Sequence, residues 1–200
     1  MKEANRAFPI NGILIVLIIV AGVLLSALLA HRYRALRSGK LTTYMGVLVD
    51  YAADHDGWYP RDGSAPLESL QKLYPRYDKA GLGLAGLSGD EQAVAERLKE
   101  GRPIDSTVSS WVYFPGFRND DDPSISIIWE RKEGISLIGK QADGHAVGFA
   151  GGGFNQVSAK EWPAFVKRQE ELRRSTLLGR ATDGKDFASE LKWSAEQSKP

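Results

Sequence analysis

The run ILIVLIIVAGVLLSALLA, Ile13 to Ala30, constrains this chain more than any other feature, because it holds eighteen residues without a charge. Extended to about 21 residues by Ile10, a helix rising ~1.5 Å per residue spans the roughly 30 Å hydrocarbon core of a bilayer. A cleaved signal sequence would have a shorter apolar region, roughly 7 to 15 residues, ending in small residues of the A-x-A type. SALLAHRY places Leu28 and Leu29 there instead. The sequence therefore predicts an uncleaved single-pass anchor over 10–30, with membrane lipid as its partner. His31, Arg32, Arg34, Arg37 and Lys40 follow at once, whereas Lys2 and Arg6 before the run are offset by Glu3. By the positive-inside rule alone, the bulk of the chain would lie in the cytoplasm. Gly22, Ser26 and Ala30 recur every four residues, a small-residue spacing that lets transmembrane helices approach closely.

Helical periodicity continues past the basic collar. Leu41, Tyr44, Met45, Leu48, Tyr51 and Ala52 form one apolar stripe at three- and four-residue spacing. With no proline between Ile10 and Trp58, one helix from Ile10 to Asp54 is expected, roughly 65 Å long. Gly57 is its expected left-handed terminator, and Pro60 blocks its resumption. A short helix is expected over Pro66–Tyr74, and another after the Ser88/Glu91 capping box, stopped by Gly101. Beyond Pro103 the chain turns aromatic and β-branched. SSWVYFPGF, SISIIWER, GISLIG, HAVGFA and GFNQVS predict three to five short antiparallel strands, with Gly151 to Gly153 as a hairpin turn. Ser158 and Glu161 form a second capping box, opening a helix to about Arg174. After Ser175 the chain reads equally as a docking helix over Phe187, Leu191 and Trp193 or as disorder.

Little in this sequence assembles chemistry. It has no cysteine, which excludes disulfides and thiolate sites, and a net charge of +1 gives nucleic acid no global attraction. GLGLAG, Gly81 to Gly86, fits G-x-G-x-x-G but lacks the preceding strand that a dinucleotide site needs. Asp54, His55 and Asp56 are adjacent, so their side chains diverge; a calcium loop starting there fails at Ala65. Asp120, Asp121 and Asp122, with Asp143 from a nearby loop, are oxygen-ligand candidates for calcium; a solvated hairpin tip is the simpler reading. His145 has no partner at metal-binding spacing. No nucleophile, base and oxyanion set is present, so no catalytic residue, no cofactor and no enzyme activity are expected.

LVDYAADHDGWYP, Leu48 to Pro60, resembles the L-x-x-Y-x-x-D-H-x-G-x-Y-P segment of type IV pilin-like and type II secretion pseudopilin proteins, particularly the diverged planctomycete-type families. SSWVYFPG and HAVGFAGGGFNQVSAKEWPAF resemble that family's later strand and its hairpin with capped helix, so the likeness covers roughly residues 8 to 170. It implies an α+β fold in which a long N-terminal membrane-spanning helix packs its outer half on a small antiparallel sheet. The implied organisation is a cytoplasmic segment over 1–9, a transmembrane helix over 10–30, an amphipathic extension over 31–56, a periplasmic domain over 57–174 and a tail over 175–200. It further implies a non-enzymatic subunit of a secretion or pilus-like assembly, oligomeric with other pilin-like chains, without nucleic acid. The processing-site-like residues Ala7, Phe8 and Gly12 depart from the family pattern, which has glycine for Ala7 and an acid for Gly12; Pro9 replaces its threonine. A stand-alone anchored binding module of the same architecture is the alternative. Leu48, Tyr51, Trp111 and Trp129 are the expected core of the domain, with Trp111, Phe114, Ile127 and Trp129 covering the helix stripe.

Overall fold

A four-stranded sheet lies between two helices in the computed structural model, which describes residues 41–61, 65–134, 143–181, 189–190 and 192. All of them belong to the compact unit Arg37–Pro200. Helix α1 occupies residues 41–53 and buries its periodic stripe completely: Leu41, Tyr44, Met45, Leu48, Tyr51 and Ala52 are all in the core. Its other side carries Thr42, Thr43, Gly46 and Asp50, all exposed. The helix ends abruptly. Asp56 adopts φ 52° and Gly57 φ 81°, and the Gly57 amide donates back to the Ala52 carbonyl at 2.9 Å. That six-to-one bond closes a C-terminal cap in which Gly57 is left-handed, as expected, and Asp56 before it is also left-handed. Gly57 is needed too, since a Cβ there would lie 2.8 Å from Asn119 Oδ1.

The strands are β1 (Trp111–Tyr113), β2 (Ser126–Glu130), β3 (His145–Phe149) and β4 (Phe154–Val157), in sheet order β1-β2-β3-β4 with every neighbour antiparallel. Side chains alternate across the pleat, and this assigns the layers. Trp111 stacks on Tyr44 at 5.7 Å, and a side chain at Gly148 would collide with Met45, so this face receives α1. Trp129 and His145 point the other way, toward helix α4 (Trp162–Ala181), where both meet the Trp162 ring. Trp129 and Phe114 are therefore buried under α4, and do not cover the α1 stripe as expected. Helix α2 (Pro66–Leu70) runs into a 3-10 turn over Gln71–Leu73; a second 3-10 turn, Leu82–Ala85, precedes α3 (Glu91–Lys99).

The expected fold needs correction at its N-terminal end. Among the described residues no helix is long and apolar enough to cross a membrane. The described residues form an α+β domain with a four-stranded antiparallel sheet, and none of their helices is the expected long membrane-spanning spine. The physical reason lies in α1 itself: its described residues 41–53 are too few to cross a bilayer, and its apolar stripe is buried in the core of the domain, leaving Thr42, Thr43 and Asp50 to solvent. Ile13–Ala30 lies outside the described residues, as do residues 135–142, which hold most of the expected GISLIG strand. At the other end, α4 continues beyond Arg174 to Ala181, because Leu177 is a fully buried core residue.

Candidate functional site

The Asp54-His55-Asp56 cluster disperses. Asp54 Oδ2 accepts from Arg76 Nη2 and from the Tyr77 hydroxyl, both at 2.8 Å. His55 stacks on Tyr51 with ring centroids 3.8 Å apart, and its Nδ1 lies 2.7 Å from the Tyr51 carbonyl. Asp56 is exposed in its left-handed turn. The next residues attach the helix end to the sheet: Tyr59 N–H donates to the Phe117 carbonyl and Asn119 N–H to that of Gly57. Trp58 pairs with Arg118 there, and its ring is flanked by the guanidinium groups of Arg61, Arg180 and Arg118 at 3.9, 5.0 and 5.4 Å.

The glycine-rich loop is a packing device. Asp78 fills its amide nest from within the chain, accepting from Gly81 N–H and Gly83 N–H at 2.9 Å each. A side chain at Gly83 would run into the Tyr44 ring, and Trp111 Nε1 donates to the Gly83 carbonyl at 2.8 Å. Gly86, at φ 85°, lies against Ser110 Oγ. The loop thus seals the corner where α1 meets β1, and the nest is already occupied by an anion of the protein's own.

A feature with no motif is the carboxylate of Glu130, wholly buried at the end of β2. Its Oε1 accepts from Ser88 Oγ at 2.5 Å; its Oε2 accepts from Ser110 Oγ at 2.8 Å and from Leu87 N–H at 2.9 Å. Three donors stand in for lost water, which is what a buried carboxylate requires. Because Ser88 is taken by Glu130, it does not cap α3. Asp90 does so, accepting from Ala93 N–H at 3.0 Å.

Above this network lies a cleft of about 220 Å³ lined by Ser88 to Asp90, Ser106 to Ser110, Arg131 and Lys132. Its rims are tied down. Asp90 N–H donates to the Val108 carbonyl at 2.9 Å. Asp105 accepts from the Thr107 amide at 2.9 Å and from its hydroxyl, and pairs with Arg97 at 2.6 Å; these contacts lower its pKa to about 2. Arg131 is held by three backbone carbonyls, Nη1 donating to Ser106 at 3.1 Å and Ser109 at 3.4 Å, and Nη2 to Trp111 at 3.2 Å.

The calcium candidates divide between the two ends of β2. Asp120 to Asp122 precede the strand, whereas Asp143 follows it across the β2–β3 connection. Each of the first three also has local work: Asp120 pairs with Arg118 at 3.0 Å, Asp121 accepts from Arg118 N–H at 2.7 Å and pairs with Arg180, and Asp122 caps Ser124. Hydrogen bonds to Ser124 hold the Asp122 pKa down. His145 is buried, Nδ1 at 2.8 Å from the Glu130 carbonyl and its ring 3.9 Å from Trp162. Among the described residues no group of three His, Asp or Glu side chains is placed to hold a metal ion. Ala7, Phe8, Gly12, Gly22, Ser26 and Ala30 lie outside the described residues.

Sequence reasoning missed the polar layer under α4. Arg173 is fully buried, its Nη1 2.9 Å from Ser126 Oγ and its Cζ 3.7 Å from the Phe114 ring centroid. Burial lowers its pKa to about 9, so it stays charged at neutral pH. Gln169, one turn earlier, accepts from Ser126 N–H at 2.7 Å and donates to the Ser124 carbonyl at 2.9 Å. The available signal was positional, since Gln169 and Arg173 continue the Trp162–Phe165 stripe at four-residue spacing.

Comparison with known protein families, curated proteins and solved structures returns no match to this chain.

Proposed function

We propose that this chain is a non-enzymatic pilin-like membrane protein, a subunit of a type II secretion or type IV pilus-like assembly. On this reading it is attached to the inner membrane through Ile13–Ala30, with the globular domain on the periplasmic side. The observation that supports it is the junction at LVDYAADHDGWYP. The apolar stripe of α1 is consumed by the sheet, and the polar residues after it serve to stop the helix and dock it, with Asp54 bound to Arg76 and Tyr77. The segment that carries the family resemblance thus has a scaffolding role. Function then resides in subunit packing, with Gly22, Ser26 and Ala30 as the helix-packing face.

The test is the intact mass of the full chain extracted from membranes. A chain beginning at a methylated Phe8 is expected of a processed, assembling subunit. A chain that retains Met1 sinks that reading and favours the alternative, a stand-alone anchored binding module, to which Pro9 and Gly12 in the processing-like segment also point. Disulfide crosslinking of Gly22→Cys or Ser26→Cys chains reports separately on packing between copies.

A further inference from the structure

We propose that the cleft between the Ser88–Asp90 turn, the Ser106–Ser110 segment and Arg131-Lys132 binds a phosphate group of a small ligand. This goes beyond the assembly reading and does not depend on it. The argument begins with Arg131. Its guanidinium is tied to the carbonyls of Ser106, Ser109 and Trp111, so its orientation is set before any ligand arrives. Those bonds use three of its five N–H groups, leaving two donors. Lys132 follows directly and enters no hydrogen bond or ion pair among the described residues. The Ser106 hydroxyl, also in the lining, is likewise unengaged. A fixed planar cation, a mobile point charge and a hydroxyl donor around one concavity suit a tetrahedral oxyanion.

Size agrees with this assignment. Arg131 and Lys132 are balanced in number by Asp90 in the lining and by the Glu130 carboxylate beneath it, and both carboxylates already accept hydrogen bonds from the chain. Asp90 is itself engaged as the cap of α3, so the helix amides contribute nothing to the site. At about 220 Å³ the cleft falls below the ~300 Å³ at which pockets for drug-sized ligands begin, and it admits one small headgroup. Its walls are preformed by Glu130 beneath and by the Asp105–Arg97 pair at the rim, so binding would order little and lose little entropy.

The experiment titrates the full chain, held in an uncharged detergent, with inorganic phosphate, followed by calorimetry and by amide shifts of Ser106 and Lys132. Saturable binding tighter than about 1 mM is expected, weakening as sodium chloride is raised. Lys132→Glu is expected to weaken it more than tenfold while leaving the ligand-free melting temperature unchanged, because Lys132 is exposed. Arg131→Lys, which keeps the charge but loses the planar fork, gives a second and smaller loss. Methyl phosphate and dimethyl phosphate then separate the sources: preference for the monoester assigns soluble phosphate esters, and preference for the diester assigns lipid headgroups. Absence of saturable binding, or binding that Lys132→Glu and Arg131→Lys leave intact, overturns the proposal.

Discussion

Individual residues divide into those that hold the fold and those that merely look reactive. Leu48 is fully buried against the sheet, so Leu48→Asp would place an unpaired charge in the core. A loss of more than about 4 kcal/mol is expected, read as collapse of the cooperative urea transition. Asp56 is a milder case with a structural twist. Its φ of 52° is tolerated by aspartate better than by alanine, so Asp56→Ala costs up to about 1 kcal/mol, whereas Asp56→Gly costs nothing or stabilises slightly. A urea series on the three variants checks the order. Periodicity already marks Leu48 as core, whereas the left-handed backbone at Asp56 is visible only in the structure.

Elements are joined by polar contacts that periodicity does not announce. Glu130 links β2 to the loop before α3 through Ser88 and Leu87, and to the start of β1 through Ser110. Glu130→Ala leaves those donors without their acceptor and is expected to cost about 1–3 kcal/mol. Amide exchange should quicken at Leu87 and Ser88 first, before the α1 contacts loosen. The presence of α1, the aromatic strands and the Ser158/Glu161 cap were all legible, since each follows from local spacing or a local hydrogen bond. Glu161 N–H donates to Ser158 Oγ at 3.3 Å, the bond from the third helical position that the box calls for, and the Ser158 hydroxyl in turn donates to Glu161 Oε2 at 2.6 Å. The Ser88 capping box was equally legible and did not form, because a glutamate 42 residues away claimed the hydroxyl. Local rules fail where a distant residue offers the stronger partner.

At the scale of the whole molecule, the core is unusual in burying several phenols. Tyr59 donates to the Ala150 carbonyl and its pKa is pushed up to about 12, by burial first and by Asp121 second. Burial likewise drives Tyr44 and Tyr113 well above 10.0. A raised folded-state pKa means that this contribution to stability is complete below pH ~10 and is lost as pH climbs through about 12. Phenolate absorbance should therefore rise in two stages, exposed tyrosines first and Tyr44, Tyr59 and Tyr113 later, together with loss of circular dichroism. Gradual ionisation of all of them below pH ~11, with the fold intact, would refute that picture.

The sequence by itself determined the α1 stripe, the helix stop between Asp54 and Gly57, the strand-rich second half and the absence of thiol chemistry, because periodicity, turn residues and composition are local properties. Tertiary structure alone decided that Trp111 packs on α1 while Trp129 packs under α4, that Asp78 fills the glycine nest, and that Arg131 and Lys132 stand over one cleft with Ser106. Those outcomes depend on strand register and on contacts between segments far apart in the chain, where a one-residue slip would turn every side chain to the opposite face.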